Sequence, residues 1–209
     1  MEKFPSYVSS SSTGGLDSSV YRIKGTATLE RWYSSAHTNF VSTTLSGLGA
    51  SVLRSTPFIV SETITLDRIA MEITAAGTAG SVLRMGIYSS TNSLPTTLVL
   101  DSAVDKTSGT GLLLADSATF QSVEINKTLT AGLYWLCYVH NSAATLTCRA
   151  ITSTAIPHIL GAPTALGTGT YASFLSSTLT YGALPSAFDN TGLAAVVGNP
   201  AIISVRLSA

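Results

Sequence analysis

From Pro57 onward the chain alternates apolar and polar residues in short runs, and clusters of Gly, Ser, Asn and Pro separate them. Period-two alternation between turn signals is the pattern of half-buried strands. Ile64 and Leu66 fall on one face of the first run. Ile69, Met71 and Ile73 stay on that face only if the parity slips by one at Asp67-Arg68, so the pattern predicts a bulge or kink near Asp67. Residues 75–80 read as a turn. In 82–88, Leu83, Met85 and Ile87 share one face. A polar loop is expected over 89–95, a strand over 98–100, a strand over 120–125 and a turn at Asn126-Lys127. The strongest strand signal is 133–140. Leu133, Trp135, Cys137 and Val139 lie on one side, and Tyr134, Leu136, Tyr138 and His140 on the other. With both sides largely apolar, this strand is expected in the middle of a sheet and covered on both faces. Residues 141–144 turn it and 145–151 return. Ile203, Val205 and Leu207 alternate with Ser204 and Arg206 as a closing strand.

These elements predict an all-β chain, an antiparallel β-sandwich of jelly-roll-like type with an N-terminal extended arm. The expected division is an arm or attachment segment over 1–50 and the sandwich over 51–209. The arm contains four consecutive serines, Ser9 to Ser12, then Thr13-Gly14-Gly15, which cannot nucleate a core. The segment reads either as a disordered N-terminus or as an attachment arm that orders on a partner, and its aromatics, Tyr21, Trp32, Tyr33 and Phe40, favour the arm. If 133–140 and 145–151 form a hairpin turning between Ser142 and Ala143, Cys137 stands opposite Cys148. Opposed Cβ atoms lie ~4.5–5.5 Å apart, against ~3.8 Å in a relaxed disulfide. The pair is therefore expected as buried free thiols, with a strained cross-strand disulfide as the alternative.

Composition narrows the setting. Of 209 residues 45% are hydrophobic and only 11% charged, with eleven cations balancing eleven anions. About 25% charged is usual. A neutral chain lacks the basic surface that nucleic acid requires, so no nucleic-acid partner is expected. Few charges also leave little to keep copies apart. After Thr152 only Asp189 and Arg206 are charged, so this region is expected to pack back on the sandwich or on neighbouring copies. No apolar run approaches the ~20 residues of a membrane span, and no membrane insertion is expected. The first residues, with Glu2 at once, carry no signal-peptide pattern, so synthesis in a cytoplasm without export is expected.

No catalytic constellation stands out. His37, His140 and His158 share no metal-ligand spacing with each other, with Cys or with carboxylates. Asp101, Asp105, Asp116, Glu124 and Asp189 are the available acids and bases, but a glycosidase needs two at a fixed separation and nothing selects a pair. The expectation is a non-enzymatic protein with no catalytic residues, no cofactor and no metal. Oxygen-rich loops at 101–105 and 116–119 are the weaker alternative for calcium. Flat aromatic faces stack on sugars, and Tyr88, Tyr171 and Tyr181 are the candidate glycan or partner contacts, with Trp32 a further exposed aromatic.

One resemblance adds to this. Phe58-Ile59-Val60, Ile64-Thr65-Leu66-Asp67-Arg68-Ile69, Leu83-Arg84-Met85-Gly86-Ile87-Tyr88, Leu94-Pro95, Leu98-Val99-Leu100-Asp101 and Leu129-Thr130-Ala131-Gly132-Leu133-Tyr134-Trp135-Leu136 together resemble a β-sandwich module of tailed-bacteriophage virion proteins. Such modules occur in head decoration proteins, head fibres and tail fibres. Tyr181-Gly182-Ala183-Leu184-Pro185 resembles the end of the same module, so the likeness covers roughly 57–190. The same framework is similar to carbohydrate-binding jelly rolls. The phage resemblance implies a non-enzymatic building block, a homotrimer in many cases, located in the virion, with itself and other capsid or tail proteins as partners. Binding to a host surface glycan or receptor is the alternative role.

Overall fold

The structure is a computed structural model that describes residues 32–34, 42–60, 62–144, 146–152, 160 and 172–208. Tyr21 and Phe40 of the expected arm, together with His37, His158 and Tyr171, lie outside the described residues. In chain order the strands are β1 (Trp32–Ser34), β2 (Ser42–Leu48), β3 (Val52–Val60), β4 (Ile64–Ala75), β5 (Val82–Thr91), β6 (Leu94–Asp101), β7 (Leu113–Leu114), β8 (Phe120–Leu129), β9 (Gly132–His140), β10 (Leu146–Ile151), β11 (Ala172–Thr178), β12 (Ala194–Val197) and β13 (Ile203–Leu207). Among the described residues they form two antiparallel sheets and no helix. The all-β antiparallel sandwich read from the alternation is what the chain adopts.

The first sheet runs β1-β13-β4-β10-β2, with β8 along the other side of β4. The second runs β12-β11-β3-β9-β5-β6, with β7 on β5. Their facing sides form one core. Ile69, Met71 and Ile73 of β4 meet Leu83, Met85 and Ile87 of β5 and Leu136 and Tyr138 of β9 there. Against β13 the register of β4 shifts between Leu66 and Arg68 while β13 passes directly from Leu207 to Arg206, so Asp67 is the extra residue and the bulge lies where the parity slip places it. The bulge keeps Ile64 and Leu66 on the core face together with Ile69, Met71 and Ile73.

Strand β9 lies between β3 and β5 and is covered on both faces, as its two apolar sides require. Tyr134, Leu136 and Tyr138 enter the inter-sheet core. Trp135, Cys137 and Val139 face outward, where residues 179–193 cover them as a strap. Leu184 and Phe188 of the strap are buried against these residues, against Leu53 of β3 and against Tyr88 of β5. The charge-poor region after Thr152 thus packs, in its described part, back on its own sandwich. Main-chain bonds fix the strap at both ends. Leu179 N donates to Ser51 O at 3.0 Å, Leu98 N to Ser186 O at 2.9 Å and Phe188 N to Thr96 O at 2.7 Å. Gly86 is what lets the strap reach the sheet, because a Cβ there would lie 2.2 Å from Leu184 Cδ1 and 2.8 Å from Leu100 O.

Several local expectations are corrected. Strands β9 and β10 are not a hairpin. They belong to different sheets, and β10 pairs with β2 and β4. Cys137 therefore stands opposite Ser55 and Gly86 under the strap, while Cys148 stands opposite Ile73 and Leu45. Both thiols are free and buried. The expected polar loop over 89–95 is a tight hairpin, since Asn92 and Ser93 both take positive φ, 51° and 62°, as a two-residue turn matching strand twist demands. No turn forms at Asn126-Lys127, because β8 continues through them along β4. The closing strand forms as expected, and it lies between β1 and β4. Strands β1 and β2 come from the segment read as an arm and join the first sheet.

Two measurements test this packing. Gly86→Val should lower unfolding stability in denaturant by about 1–3 kcal/mol, because the new side chain drives Leu184 and the strap off the sheet. Burial raises the Cys148 thiol to about 12 and the Cys137 thiol further. Native protein at pH 8 should therefore show no thiol reactive toward a thiol-specific disulfide reagent, and unfolded protein should show both.

Candidate functional site

The two sheets present opposite outer surfaces. Under its strap the second sheet is largely apolar. The outer face of the first carries the charges. With Ile69, Met71 and Ile73 turned to the core, Arg68, Ala70 and Glu72 of β4 face outward. The same parity turns Ser204 and Arg206 of β13, Ser122 and Glu124 of β8, Arg149 of β10 and Trp32 of β1 to that surface. Cross-strand register builds one row over four strands, Trp32–Arg206–Arg68–Glu124.

Arg206 and Arg68 are directly opposed, which is repulsive unless compensated. The bulge supplies the compensation. Asp67 takes Arg206 with both oxygens, accepting from Nε at 2.8 Å and Nη2 at 2.7 Å. Arg68 donates to Glu124 Oε1 at 2.7 Å, and Ser108 Oγ donates to Oε2 at 2.6 Å. Glu72 accepts from Arg149 Nη2 at 2.7 Å and Nε at 3.0 Å. The hydrogen bond from Arg149 holds the Glu72 carboxyl below its usual range, and the bonds from Ser108 and then Arg68 do the same for Glu124. Beside the row, Trp32 meets Phe120 edge to face at 5.2 Å, and the Arg206 guanidinium lies 5.8 Å from the Trp32 ring centroid. Phe120 is 50% exposed.

The candidates named from sequence fall elsewhere or change character. Tyr88 is fully buried. Its ring packs edge-on against Phe188 at 4.9 Å and its hydroxyl donates to Pro185 O at 2.9 Å. The strap covers the ring, so its reading as an exposed glycan contact is corrected. Tyr181 is half-buried on the strap, and Arg84 and Asp101, which clasp the strap, lie within electrostatic reach of its phenol. Buried Asp101 accepts from Arg84 Nη1 at 2.8 Å and from Leu184 N at 3.1 Å. Burial raises the Tyr181 phenol, while the neighbouring Arg84 acts against it. Of the arm aromatics, Trp32 lies on the outer face, and Tyr33 packs toward the core.

The carboxylates are committed locally. Arg84 occupies Asp101, so the 101–105 loop presents a cation-filled carboxylate rather than a calcium ligand. Asp105 accepts from Asp101 N at 2.8 Å, Asp116 from Gly80 N at 2.6 Å and Asp189 from Thr191 N at 2.8 Å. Among the described residues no group of three or more His, Cys, Asp or Glu is placed to hold a metal ion. His140 is buried, with Nδ1 accepting from Ser142 N at 3.1 Å. Sequence reasoning missed Phe120 and Arg206. Alternation in β13 marks Arg206 as outward-facing, but nothing in the sequence brings Trp32 beside either.

No protein-family model matches the chain, and no curated protein matches it. Among solved structures it is similar to a chain of a structure of infectious bursal disease virus, Gx strain, at 10% identity and TM-score 0.31. The match covers 85% of this chain and 39% of that one.

Two depressed carboxyls on one face set an acid limit. A carboxyl lowered in the folded state stabilises above its ordinary value of 4.5, and the contribution fades as pH falls through the folded value. Thermal midpoints should hold from pH 7 to about 5 and decline below about 4.5, and Glu72→Gln should flatten that decline. An identical acid profile in the variant would refute the assignment.

Proposed function

We propose that the protein is a structural component of a bacteriophage virion, a decoration or fibre protein, that builds a homo-oligomer, a trimer in this reading, and attaches through its N-terminal residues. Its resemblance to virion sandwich modules and its charge-poor composition support this reading. The observation that carries it is the open edge of the second sheet. Self-contained sandwiches guard their edges with charges, prolines or covering chain. Two edges here are covered. Residues 186–188 bond along β6, and the 103–108 loop bonds along β8 through Thr107 N to Glu124 O at 2.9 Å. Strand β12 is different. Among the described residues it pairs with β11 on one side only, and its sequence Ala194-Ala195-Val196-Val197 has no charge and no proline. Val197 is 49% exposed. A bare apolar edge of this kind is a template for a strand or face of another subunit.

Native mass spectrometry of the full chain tests assembly. The expected species is an oligomer of 21.6 kDa subunits, and Val197→Lys, which puts a charge on the open edge, should shift it toward monomer. A wild-type chain that stays monomeric at its solubility limit and is not retained on virion shells would overturn the reading. Electron microscopy of particles carrying the protein reports its position on head or tail.

A further inference from the structure

The outer face of the first sheet carries an aromatic corner that the described chain leaves open. Phe120 is 50% exposed, and Trp32 stands against it at 80°, with ring centroids 5.2 Å apart. One ring offers a face and the other closes the side. Trp32 also heads the row that continues through Arg206 and Arg68 to Glu124. The corner and the polar row are thus one continuous surface.

We propose that this surface binds a neutral oligosaccharide, one sugar ring stacking on Phe120 against Trp32 and neighbouring hydroxyls meeting Arg68 and Glu124. Three features select this ligand class. The first is charge. Three arginines face three carboxylates, Arg68–Glu124, Arg206–Asp67 and Arg149–Glu72, each pair at 2.7 Å. A polyanion would have to displace a carboxylate from each guanidinium, whereas an uncharged polyol displaces none. The second is hydrogen-bonding character. Arg68 spends one guanidinium nitrogen on Glu124, and each Glu124 oxygen accepts one bond. Donors and acceptors therefore remain side by side at partly exposed groups, which matches hydroxyls that both give and take hydrogen bonds. The third is form. A flat aromatic with a few convergent polar groups, all on paired strands, is held in place before any ligand arrives.

This inference goes beyond assembly, and its failure leaves the assembly reading standing. The test uses the two tryptophans, because Trp135 is 1% exposed under the strap and a surface ligand reaches only Trp32. The full chain is titrated with maltohexaose, cellohexaose and mannohexaose, with a sulfated heparin hexasaccharide as the anionic control, by fluorescence and calorimetry. At least one neutral hexaose should give a saturable change in Trp32 emission, and the sulfated one should give none. Phe120→Ala and, separately, Arg68→Gln should each weaken binding by about tenfold while the variants keep the folded far-UV circular dichroism of the parent. Absence of heat and of emission change with all three neutral sugars up to about 10 mM would overturn the proposal. So would Phe120→Ala binding as tightly as the parent. If Phe120→Ala instead dissolves an oligomer, the corner is a contact between copies and the proposal falls.

Discussion

A single strand with two apolar faces governs this protein. Strand β9 places Tyr134, Leu136 and Tyr138 in the core and Trp135, Cys137 and Val139 on the far side. A two-layer sandwich has cover for only one of these sets. Leaving the second in water would forgo roughly 1.5–3 kcal/mol for each large side chain. The chain answers with a third layer, and the strap explains otherwise unrelated residues. Gly86 lacks a side chain so that Leu184 can sit down. Asp101 is buried because it receives both Arg84 and the Leu184 amide, tying strap to sheet. Tyr88 is buried because Phe188 and Pro185 close over it.

The other sheet solves a different problem. Its outer face stays open, so it carries charge, and the charges are arranged by the Asp67 bulge. Without the extra residue the apolar positions after it would point to solvent. With it, Arg68 and Arg206 come directly opposite each other, and the extra carboxylate sits where it neutralises Arg206. One irregularity therefore sets the core register and the balance of the exposed face. Surface function is more naturally carried by this face than by the strapped one, because among the described residues no strap crosses it and Phe120 stays half exposed.

This contrast also explains which candidate residues were legible. Exposure of an aromatic is a property of what packs over it, and the cover of Tyr88 comes from a segment 97 residues later. Sequence parity places Tyr88 on the outer side of β5 correctly but cannot say that the outer side is roofed. Phe120 opens β8 with the same outward parity and has no roof. Trp32 reaches it because β1 adds to β13 at a distance in sequence that no local pattern encodes.

Alternation, turn residues and the parity slip determined the strand character, the bulge at Asp67 and the two-sided burial of β9, since these depend on side-chain period and local backbone geometry alone. The pairing of strands did not follow. Neighbouring strands β9 and β10 look like a hairpin, yet they part into separate sheets, and the cysteines between which a bridge was conceivable end in different packing environments. That outcome rests on which apolar faces bury each other best across the whole fold. Pairing partners, the strap and the open aromatic corner are non-local, and only the tertiary structure decided them.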